Sequence, residues 1–202
     1  MNTIVNANGR LVGHDTDGPG LLSALRSRQG FLPEGAQCVV LGAGGAAIAA
    51  VSALASASAG SITVLARRPD HAQTLPGILG AGARVGTLGD SADWPKDVDL
   101  VVHATPVGMG SIAGTDAFKE ATDTCEGWLP RGLPQSTLCL DLIYTPRETA
   151  FLAAASAHGA RLEDGLEMLV EQAALAFALW TGQEAPVDVM REAAIEALRT
   201  PR

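Results

Sequence analysis

The chain has 202 residues, of which 47% are hydrophobic and 18% are charged, a composition typical of a globular protein with a sizeable core. This composition excludes an intrinsically disordered chain. The 14 Lys and Arg residues against 22 Asp and Glu residues give a net charge of −8. We expect no binding to nucleic acid and none to an anionic membrane surface, because both require a basic footprint.

The three cysteines, Cys38, Cys125 and Cys139, are odd in number, far apart and without CxxC spacing. This pattern predicts neither a disulfide framework nor a metal site, and it favours a reducing, cytoplasmic compartment. The first residues lack the basic and apolar pattern of a signal peptide. The most apolar stretch, residues 38–59, is interrupted by Gly and Ser and falls short of a membrane span.

A short hairpin followed by alternating strand and helix signals predicts the fold class. Residues 3–5 and 10–13 flank the turn sequence Asn6-Ala7-Asn8-Gly9, and a helix opens near Asp17-Gly18-Pro19. The later alternation is typical of parallel βαβ units, so we predict an α/β, doubly wound parallel sheet of the Rossmann type. The strands are predicted at 37–41, 61–65, 83–85, 99–103, 138–142 and 161–162, and the helices after 45, from 69, at 146–158, from 166 and at 187–198.

Two stretches between these elements need separate comment. Residues 110–135 are rich in turn signals, and no element is predicted there. The sequence Thr145-Pro146-Arg147-Glu148 has the form of a capping box with proline at the first helical position. It predicts a helix that begins at Pro146 and ends before Gly159.

The hexapeptide Gly42-Ala43-Gly44-Gly45-Ala46-Ala47 has the pattern G-x-G-x-x-A between a predicted strand and a predicted helix. In this pattern Gly42 permits a tight turn, Gly44 lets the backbone approach a pyrophosphate, and Ala47 permits close helix–strand packing. The helix N-terminus then offers free amides to the phosphates. A tight turn in an Ala-rich sheet remains the alternative, but the surrounding βαβ unit favours a dinucleotide site.

The end of the second core strand indicates which dinucleotide is bound. NAD sites usually have an acidic residue there, whereas NADP sites use Arg for the 2′-phosphate. This chain has Arg67 and Arg68 and no carboxylate before Asp70. We therefore predict NADP, with a solvated surface pair of arginines as the alternative.

The order and spacing of several motifs resemble those of the shikimate dehydrogenase family (shikimate/quinate 5-dehydrogenases), from residue 2 to about residue 190. The motifs are Asn2-Thr3, Asp15-Thr16-Asp17-Gly18, the glycine turn, Ala104-Thr105-Pro106-Val107-Gly108-Met109, Asp141-Leu142-Ile143-Tyr144, Asp164-Gly165-Leu166, Met168 to Gln172, and Trp180-Thr181-Gly182. The family combines an N-terminal substrate domain with an NADP-binding domain. The resemblance implies a substrate-domain remnant at residues 1–20 and an NADP-binding domain at residues 21–202.

The resemblance implies an enzyme of aromatic amino acid biosynthesis that reduces 3-dehydroshikimate to shikimate with NADPH. It assigns Asp17 as the catalytic residue, and Asn2, Asp17, Tyr144 and Gln172 to the substrate. Asp17 as a helix N-cap, Tyr144 as a packing partner of Pro146 and Gln172 as a partly exposed side chain are the alternatives. The implied cofactor residues are Gly42, Ala43, Gly44, Gly45, Ala46, Arg67, Arg68, Thr105, Pro106, Val107, Gly108, Met109, Leu142, Gly165 and Met168.

Two further side chains are left out of the predicted site. His103 stands where the family commonly has Asn, and we interpret it as a hydrogen-bonded core residue. Glu167 is interpreted as exposed, with little bearing on function. The family's catalytic lysine lies in the substrate domain, and neither Lys96 nor Lys119 stands in a matching place. We therefore expect the chain to bind NADP(H) at micromolar strength or weaker without appreciable shikimate oxidation.

Several alternatives remain open. One is a non-catalytic NADP-binding module left by truncation, and another is a quinate/shikimate dehydrogenase paralogue. A different Rossmann enzyme, such as a methylene-tetrahydrofolate dehydrogenase or a glutamyl-tRNA reductase-like protein, fits less well, because the Asn-Thr, Asp-Gly and Gln172 motifs argue against it. A homodimer or a separate partner that supplies the missing domain is the expected assembly.

Overall fold

The computed structural model describes residues 1–72 and 83–199. Contacts divide the chain into two compact units. The hairpin unit consists of Met1–Leu32 and Leu166–Arg202, and the sheet unit consists of Pro33–Gly165. The predicted boundary after residue 20 stays a prediction.

The described residues form strands and helices that follow the predicted order closely. The strands are β1 (Thr3–Ala7), β2 (Arg10–His14), β3 (Gln37–Leu41), β4 (Ser61–Ala66), β5 (Ala83–Thr87), β6 (Leu100–His103), β7 (Leu138–Asp141) and β8 (Arg161–Glu163). The α-helices are α1 (Asp17–Gln29), α2 (Gly45–Ser56), α3 (Asp116–Glu126), α4 (Ala150–Ala157), α5 (Leu166–Thr181) and α6 (Val187–Arg199). The predicted helix from residue 69 is a 3-10 turn at Pro69–Ala72, and its continuation lies outside the described residues.

In the hairpin unit, β1 and β2 pair antiparallel, with Thr3 opposite His14. Asn8 and Gly9 both have positive φ, 53° and 89°, as a type I′ turn requires at its two central residues. The predicted hairpin is thus present, but its turn is the two residues Asn8-Gly9 and β1 extends to Ala7, two residues beyond the predicted strand. This register carries the chain directly from β2 into α1.

In the sheet unit, the described residues form six parallel strands in the order β5-β4-β3-β6-β7-β8. Counted from β3, this is the doubly wound order 3-2-1-4-5-6, so the predicted fold class is confirmed. The chain winds outward from β3 in both directions. The switch point therefore lies between β3 and β6, and their carboxyl ends open the crevice where such sheets bind ligands.

Both faces of the sheet are buried, which explains why its strands are almost continuously apolar. Val39 and Leu41 of β3 belong to a core cluster with Phe151, while Val40, which alternation directs to the other face, is also fully buried. In α2, the buried residues are Ala47, Ala50, Val51, Ala53 and Leu54. The small alanine side chains let this helix pack closely on β3 and β4.

Helix α3 lies in the stretch where the sequence predicted no element. Thr115 begins it as an N-cap, with its hydroxyl accepting from the Phe118 amide at 3.2 Å. Cys125 is the buried residue of this otherwise solvated helix. Phe118 and Ala121 are partly buried on the same face, but the helix lies between turn-rich segments, where no element was predicted.

The predicted capping box at Thr145 is wrong. Helix α4 begins at Ala150, and the Thr149 hydroxyl accepts from the Leu152 amide at 3.1 Å. Residues 145–148 form a non-helical connection. Within it, Arg147 Nε pairs with Asp164 Oδ2 at 2.7 Å. Thr149 is fully buried, which allows its hydroxyl to satisfy the helix end away from water.

The prediction that Glu167 is exposed is also wrong, since the residue is only 4% exposed. Its carboxylate accepts from Arg191 Nε at 2.9 Å and from Arg191 Nη2 at 2.6 Å. Arg28 lies 4.0 Å away, at the limit of an ion pair. Glu167 thus joins α5 to α6 through a buried, two-pronged ion pair, which a helical pattern in α5 alone does not reveal.

The corrected helix start gives a first prediction. Thr149→Ala removes the cap of α4 and should lower the free energy of unfolding by about 1 kcal/mol. Thr145→Ala, the matched control, should change it by less than about 0.5 kcal/mol, because Thr145 caps no helix. Urea unfolding followed by circular dichroism measures both. A larger loss of unfolding free energy in Thr145→Ala than in Thr149→Ala would support the capping box at Thr145 instead.

Candidate active site

The turn between β3 and α2 brings two backbone segments unusually close together. Gly42 has φ 120°, and a Cβ built on it would lie 2.6 Å from the carbonyl oxygen of Ala104. A side chain therefore fits neither the conformation nor the space. The Gly42 amide donates to Leu65 at 2.8 Å and the Ala104 amide donates to Leu41 at 2.9 Å, which extends the sheet to this point.

The N-terminus of α2 faces open space beyond this turn. Built Cβ atoms on Gly44 and Gly45 meet nothing within 4 Å. Ile48 donates the first intrahelical bond, to Gly44 at 3.0 Å, so the amides of the first helical turn have no partner within the helix. The helix also has no acidic residue in this turn. These amides and the helix dipole suit an anionic group.

A cavity of about 280 Å³ lies beside the glycine turn in the sheet unit. It joins the glycine turn to the end of β4 and to the loop after β6. The lining residues are Gly42, Ala43, Gly44, Ala66, Arg67, Arg68, Leu88, Ala104, Thr105, Pro106, Val107 and Trp128. Most of the predicted cofactor residues therefore meet around one cavity, with Gly45 and Ala46 following in the first turn of α2.

Arg67 and Arg68 follow β4 at the rim of the cavity. Both side chains are exposed, and neither makes an ion pair within the part of the chain that the structure describes. Among the described lining residues none carries a carboxylate. Two unpaired guanidinium groups beside free helix amides make this a site for a polyanionic ligand.

Leu88 and Trp128 also line the cavity and were not predicted. Leu88 directly follows β5, which ends two residues beyond the strand predicted at 83–85. A prediction with the correct strand end would have placed Leu88 at the edge of the sheet where the cavity lies. Trp128 follows α3, in the stretch where no element was predicted. It supplies a half-buried aromatic wall that only the folded helix brings to the sheet.

His103 is fully buried and hydrogen-bonded, as predicted. Its Nδ1 lies 2.8 Å from Asp141 Oδ1 and its Nε2 lies 2.6 Å from Thr105 Oγ1. Thr105 Oγ1 also accepts from the Val107 amide at 3.2 Å. The loop after β6 is therefore tied to the sheet interior through a chain of polar side chains.

Other predicted cofactor residues lie away from the cavity lining. A Cβ on Gly108 would lie 3.0 Å from Ala150 Cβ, and the Met109 side chain is 68% exposed. A Cβ on Gly165 would lie 2.5 Å from the carbonyl oxygen of Leu142. Close backbone packing therefore accounts for the glycine at position 165, and a cofactor role for these residues stays a prediction.

In the hairpin unit, three predicted substrate residues form one hydrogen-bonded cluster. Asn2 Nδ2 donates to Asp17 Oδ1 at 2.7 Å and to Gln172 Oε1 at 3.4 Å. It also donates to Thr16 Oγ1 at 2.9 Å, while Asn2 Oδ1 accepts from the Thr16 amide at 3.0 Å. Thr16 is a member that the sequence did not single out. We call Asn2, Thr16, Asp17 and Gln172 the polar cluster.

Close helix packing within this unit makes the polar cluster possible. A Cβ on Gly20 would lie 2.7 Å from Gln172 Cβ, so α1 and α5 touch where Gly20 has no side chain. Thr16 is the N-cap residue of α1 and its side chain makes no cap hydrogen bond. The alternative role of Asp17 as the N-cap is therefore wrong, since Asp17 is the first helical residue and its carboxylate accepts from Asn2.

Two further predicted residues belong neither to the cavity lining nor to the polar cluster. Met168 lies in the first turn of α5, in the hairpin unit, and is half-buried. Tyr144 follows β7 in the sheet unit, and its side chain is 39% exposed. Their predicted contacts with cofactor and substrate stay predictions.

The cysteines have no part in this chemistry. Burial raises the pKa of Cys38, Cys125 and Cys139 to about 12 in each case, so they are thiols at neutral pH. The described residues contain no grouping of three or more His, Cys, Asp or Glu side chains that could hold a metal ion. Nor is any of their helices long and apolar enough to cross a membrane.

The strand order, the glycine turn at the switch point and the cationic cavity define a dinucleotide-binding domain of the Rossmann type. Comparison with known proteins specifies it further. Residues 165–195 match the model of the shikimate 5'-dehydrogenase C-terminal domain. The shikimate dehydrogenase (NADP(+)) of Methanopyrus kandleri is 41% identical, over 98% of this chain and 68% of its own.

Solved structures give the same result. Shikimate 5-dehydrogenase from Thermus thermophilus, in complex with NADP(H) and shikimate, is 36% identical with a TM-score of 0.76, over 96% of this chain and 67% of its own. Quinate dehydrogenase from Corynebacterium glutamicum, in complex with NAD, is 29% identical with a TM-score of 0.78, over 96% and 66%. The chain belongs to the shikimate dehydrogenase family of NADP-dependent oxidoreductases. It spans about two thirds of the length of these relatives.

The glycine turn generates a second prediction. Gly42→Ala places a Cβ against the Ala104 carbonyl at an unfavourable φ and should destabilise the sheet unit by at least about 2 kcal/mol. Gly44→Ala, the matched control, has open space and an ordinary φ of −83°, so its stability should match that of the parent within about 0.5 kcal/mol. Urea unfolding distinguishes the two. Equal stability of both variants would contradict the close approach.

Proposed function

We propose that the chain acts in the NADPH-dependent reduction of 3-dehydroshikimate to shikimate, and that its own contribution is the NADP(H) site. The observation that carries the proposal is the cavity between the glycine turn and the arginine pair, in a chain of the shikimate dehydrogenase family. The amides that begin α2 bind the pyrophosphate, with Gly44 allowing its close approach. When bound, NADPH supplies the hydride for the reduction.

Arg67 and Arg68 bind the 2′-phosphate of the adenosine half. Both are exposed at the cavity rim, and neither has an ion-pair partner among the described residues. Their guanidinium groups are therefore available to a phosphate without first breaking a protein contact. The same positions offer no carboxylate for the ribose hydroxyl of NAD, which favours NADP.

The polar cluster binds the hydroxyl groups of the substrate. Asn2, Asp17 and Gln172 carry amide and carboxylate groups that can donate to and accept from a polyol. Asp17 Oδ1 accepts from Asn2 at 2.7 Å, and among the described residues no bond is made by Asp17 Oδ2. We assign Asp17 the proton-handling role at the reacting hydroxyl, and Tyr144 a further substrate contact.

Turnover needs a proton donor as well as a hydride. The substrate oxygen gains a proton when its carbon gains hydride, and Asp17 as a carboxylate can only accept a hydrogen bond. The sequence of the hairpin unit contains no lysine that could pair with Asp17 and donate this proton. We therefore propose that residues 1–202 bind the cofactor but supply no lysine as general acid, which lowers the rate by about 10²–10⁴-fold.

An activity assay tests this division of roles. The chain is mixed with shikimate and NADP+, and NADPH formation is followed by its absorbance. We expect binding of NADPH at micromolar strength or weaker by calorimetry and no appreciable absorbance change. Robust turnover would contradict the missing general acid, whereas absence of NADPH binding would contradict the cofactor site itself.

Cofactor choice gives a separate prediction. Arg67→Ala removes a charge-assisted contact and should weaken NADP+ binding by about 10- to 100-fold, while NAD+ binding changes little. Arg84→Ala is the matched control, because Arg84 is an exposed arginine of β5 that does not line the cavity. It changes net charge equally and should leave both affinities near the parent values. Equal losses for NADP+ and NAD+ in Arg67→Ala would remove the 2′-phosphate assignment.

The assembly and its location complete the proposal. We propose a homodimer, or a complex with a separate partner that supplies the remaining substrate contacts. A cytoplasmic location suits three buried cysteines that form no disulfide. Sedimentation of the purified chain, alone and with NADPH, measures whether it forms a dimer.

A further inference from the structure

The buried pair of His103 and Asp141 lies directly behind the cofactor cavity, and the proposed function gives it no role. Both residues are 0% exposed. His103 reaches the cavity through Thr105, which is a lining residue and whose Oγ1 lies 2.6 Å from His103 Nε2. A single side chain therefore separates the imidazole from the cofactor site.

The hydrogen bonds fix where the imidazole proton lies. Asp141 Oδ1 accepts from the Ile143 amide at 2.9 Å and lies 2.8 Å from His103 Nδ1. A carboxylate only accepts, so the ring nitrogen that faces it, Nδ1, carries a proton. In the tautomer with a proton on Nδ1 alone, Nε2 accepts the hydrogen bond that the Thr105 hydroxyl donates. The same hydroxyl oxygen accepts from the Val107 amide at 3.2 Å.

This arrangement determines what Thr105 presents to the cavity. Its hydroxyl proton is committed inward to His103. Its methyl group faces the glycine turn, since a Cβ built on Gly42 would lie 3.3 Å from Thr105 Cγ2. The wall beside the pyrophosphate site is therefore apolar at this point, and the hydroxyl does not compete with the helix amides.

The ring itself is held from several sides. His103 stacks on Phe151 with centroids 4.8 Å apart and planes at 22°, and it lies 6.0 Å from the ring of Trp128. Asp141 Oδ2 is buried and, among the described residues, has no hydrogen-bond partner. Leaving a buried carboxylate oxygen unpaired is destabilising, so packing alone does not account for this pair.

We propose that His103 is a positioning residue of the cofactor site. With its Nδ1 held by Asp141, it locks Thr105 in the rotamer that turns the hydroxyl inward and the methyl group toward the glycine turn, and it thereby fixes residues 105–107 for NADP(H). This role rests on the proposed NADP(H) site. It adds a residue that contacts neither cofactor nor substrate.

Two substitutions separate positioning from stability. In His103→Asn, the amide takes the place of Nδ1 and still donates to Asp141, but it is too short to reach Thr105. In His103→Gln, the longer amide takes the place of Nε2 and reaches Thr105, but it leaves Asp141 without its partner. His103→Asn therefore tests the positioning of Thr105, and His103→Gln tests the stability that the contact with Asp141 provides.

We expect His103→Asn to weaken NADPH binding about five-fold, the equivalent of one neutral hydrogen bond, with a melting temperature near that of the parent. His103→Gln should melt at a lower temperature yet bind NADPH within about two-fold of the parent. Thr105→Val should weaken binding about five-fold on its own, and His103→Asn should then add nothing further. Affinities that follow the melting temperatures, or additive losses in the double variant, would overturn the proposal.

A spectroscopic measurement tests the proposal without cofactor. In ¹⁵N NMR of the free protein, the His103 ring should show a proton on Nδ1 and none on Nε2. A proton on Nε2 would overturn the proposal, because Thr105 could then no longer donate to the ring. This result would be independent of NADPH binding, so failure of the cofactor site and failure of the positioning role can be told apart.

Discussion

The close approach of the Gly42 and Ala104 backbones is the constraint on which the rest of the sheet unit depends. The two segments leave adjacent parallel strands at the switch point, and no side chain fits between them at Gly42. This contact sets the free amides of α2 beside the loop that carries Thr105. A wider separation would place the two walls of the cavity too far apart to contact one pyrophosphate.

The proposed NADP(H) site combines two kinds of groups, the backbone amides of α2 and the charged side chains of Arg67 and Arg68. In the proposed NADP(H) site, the helix amides have directions fixed by the fold, so they would recognise a phosphate by hydrogen-bond geometry as well as by the helix dipole. Arg67 and Arg68 are exposed side chains and add charge without adding rigidity. The chain as a whole carries a net charge of −8, which would repel a polyanion. The arginine pair is therefore a local cationic rim on an acidic protein.

Local signals in the sequence were sufficient for most of the fold and for the position of the glycine turn. The Asn8-Gly9 turn, the apolar strand runs and the glycine turn each involve neighbours in sequence, and the structure has each where it was predicted. The errors concern contacts between distant residues. Glu167 is buried because Arg191, on another helix, neutralises it, and Thr16 joins the polar cluster because the hairpin register brings Asn2 beside it.

The two buried carboxylates of the described chain show why burial alone does not identify a functional residue. Both oxygens of Glu167 pair with Arg191, and Arg191 in turn contacts the exposed Asp188. The role of Glu167 is therefore to join two helices. Asp141 uses one oxygen on His103 and leaves the other unpaired. Because the second nitrogen of His103 reaches a residue that lines the cavity, the orientation set by Asp141 extends to the ligand site. The two carboxylates differ in the further contacts of their partners, since His103 contacts a cavity residue and Arg191 contacts an exposed carboxylate. The sequence around either carboxylate does not reveal these contacts.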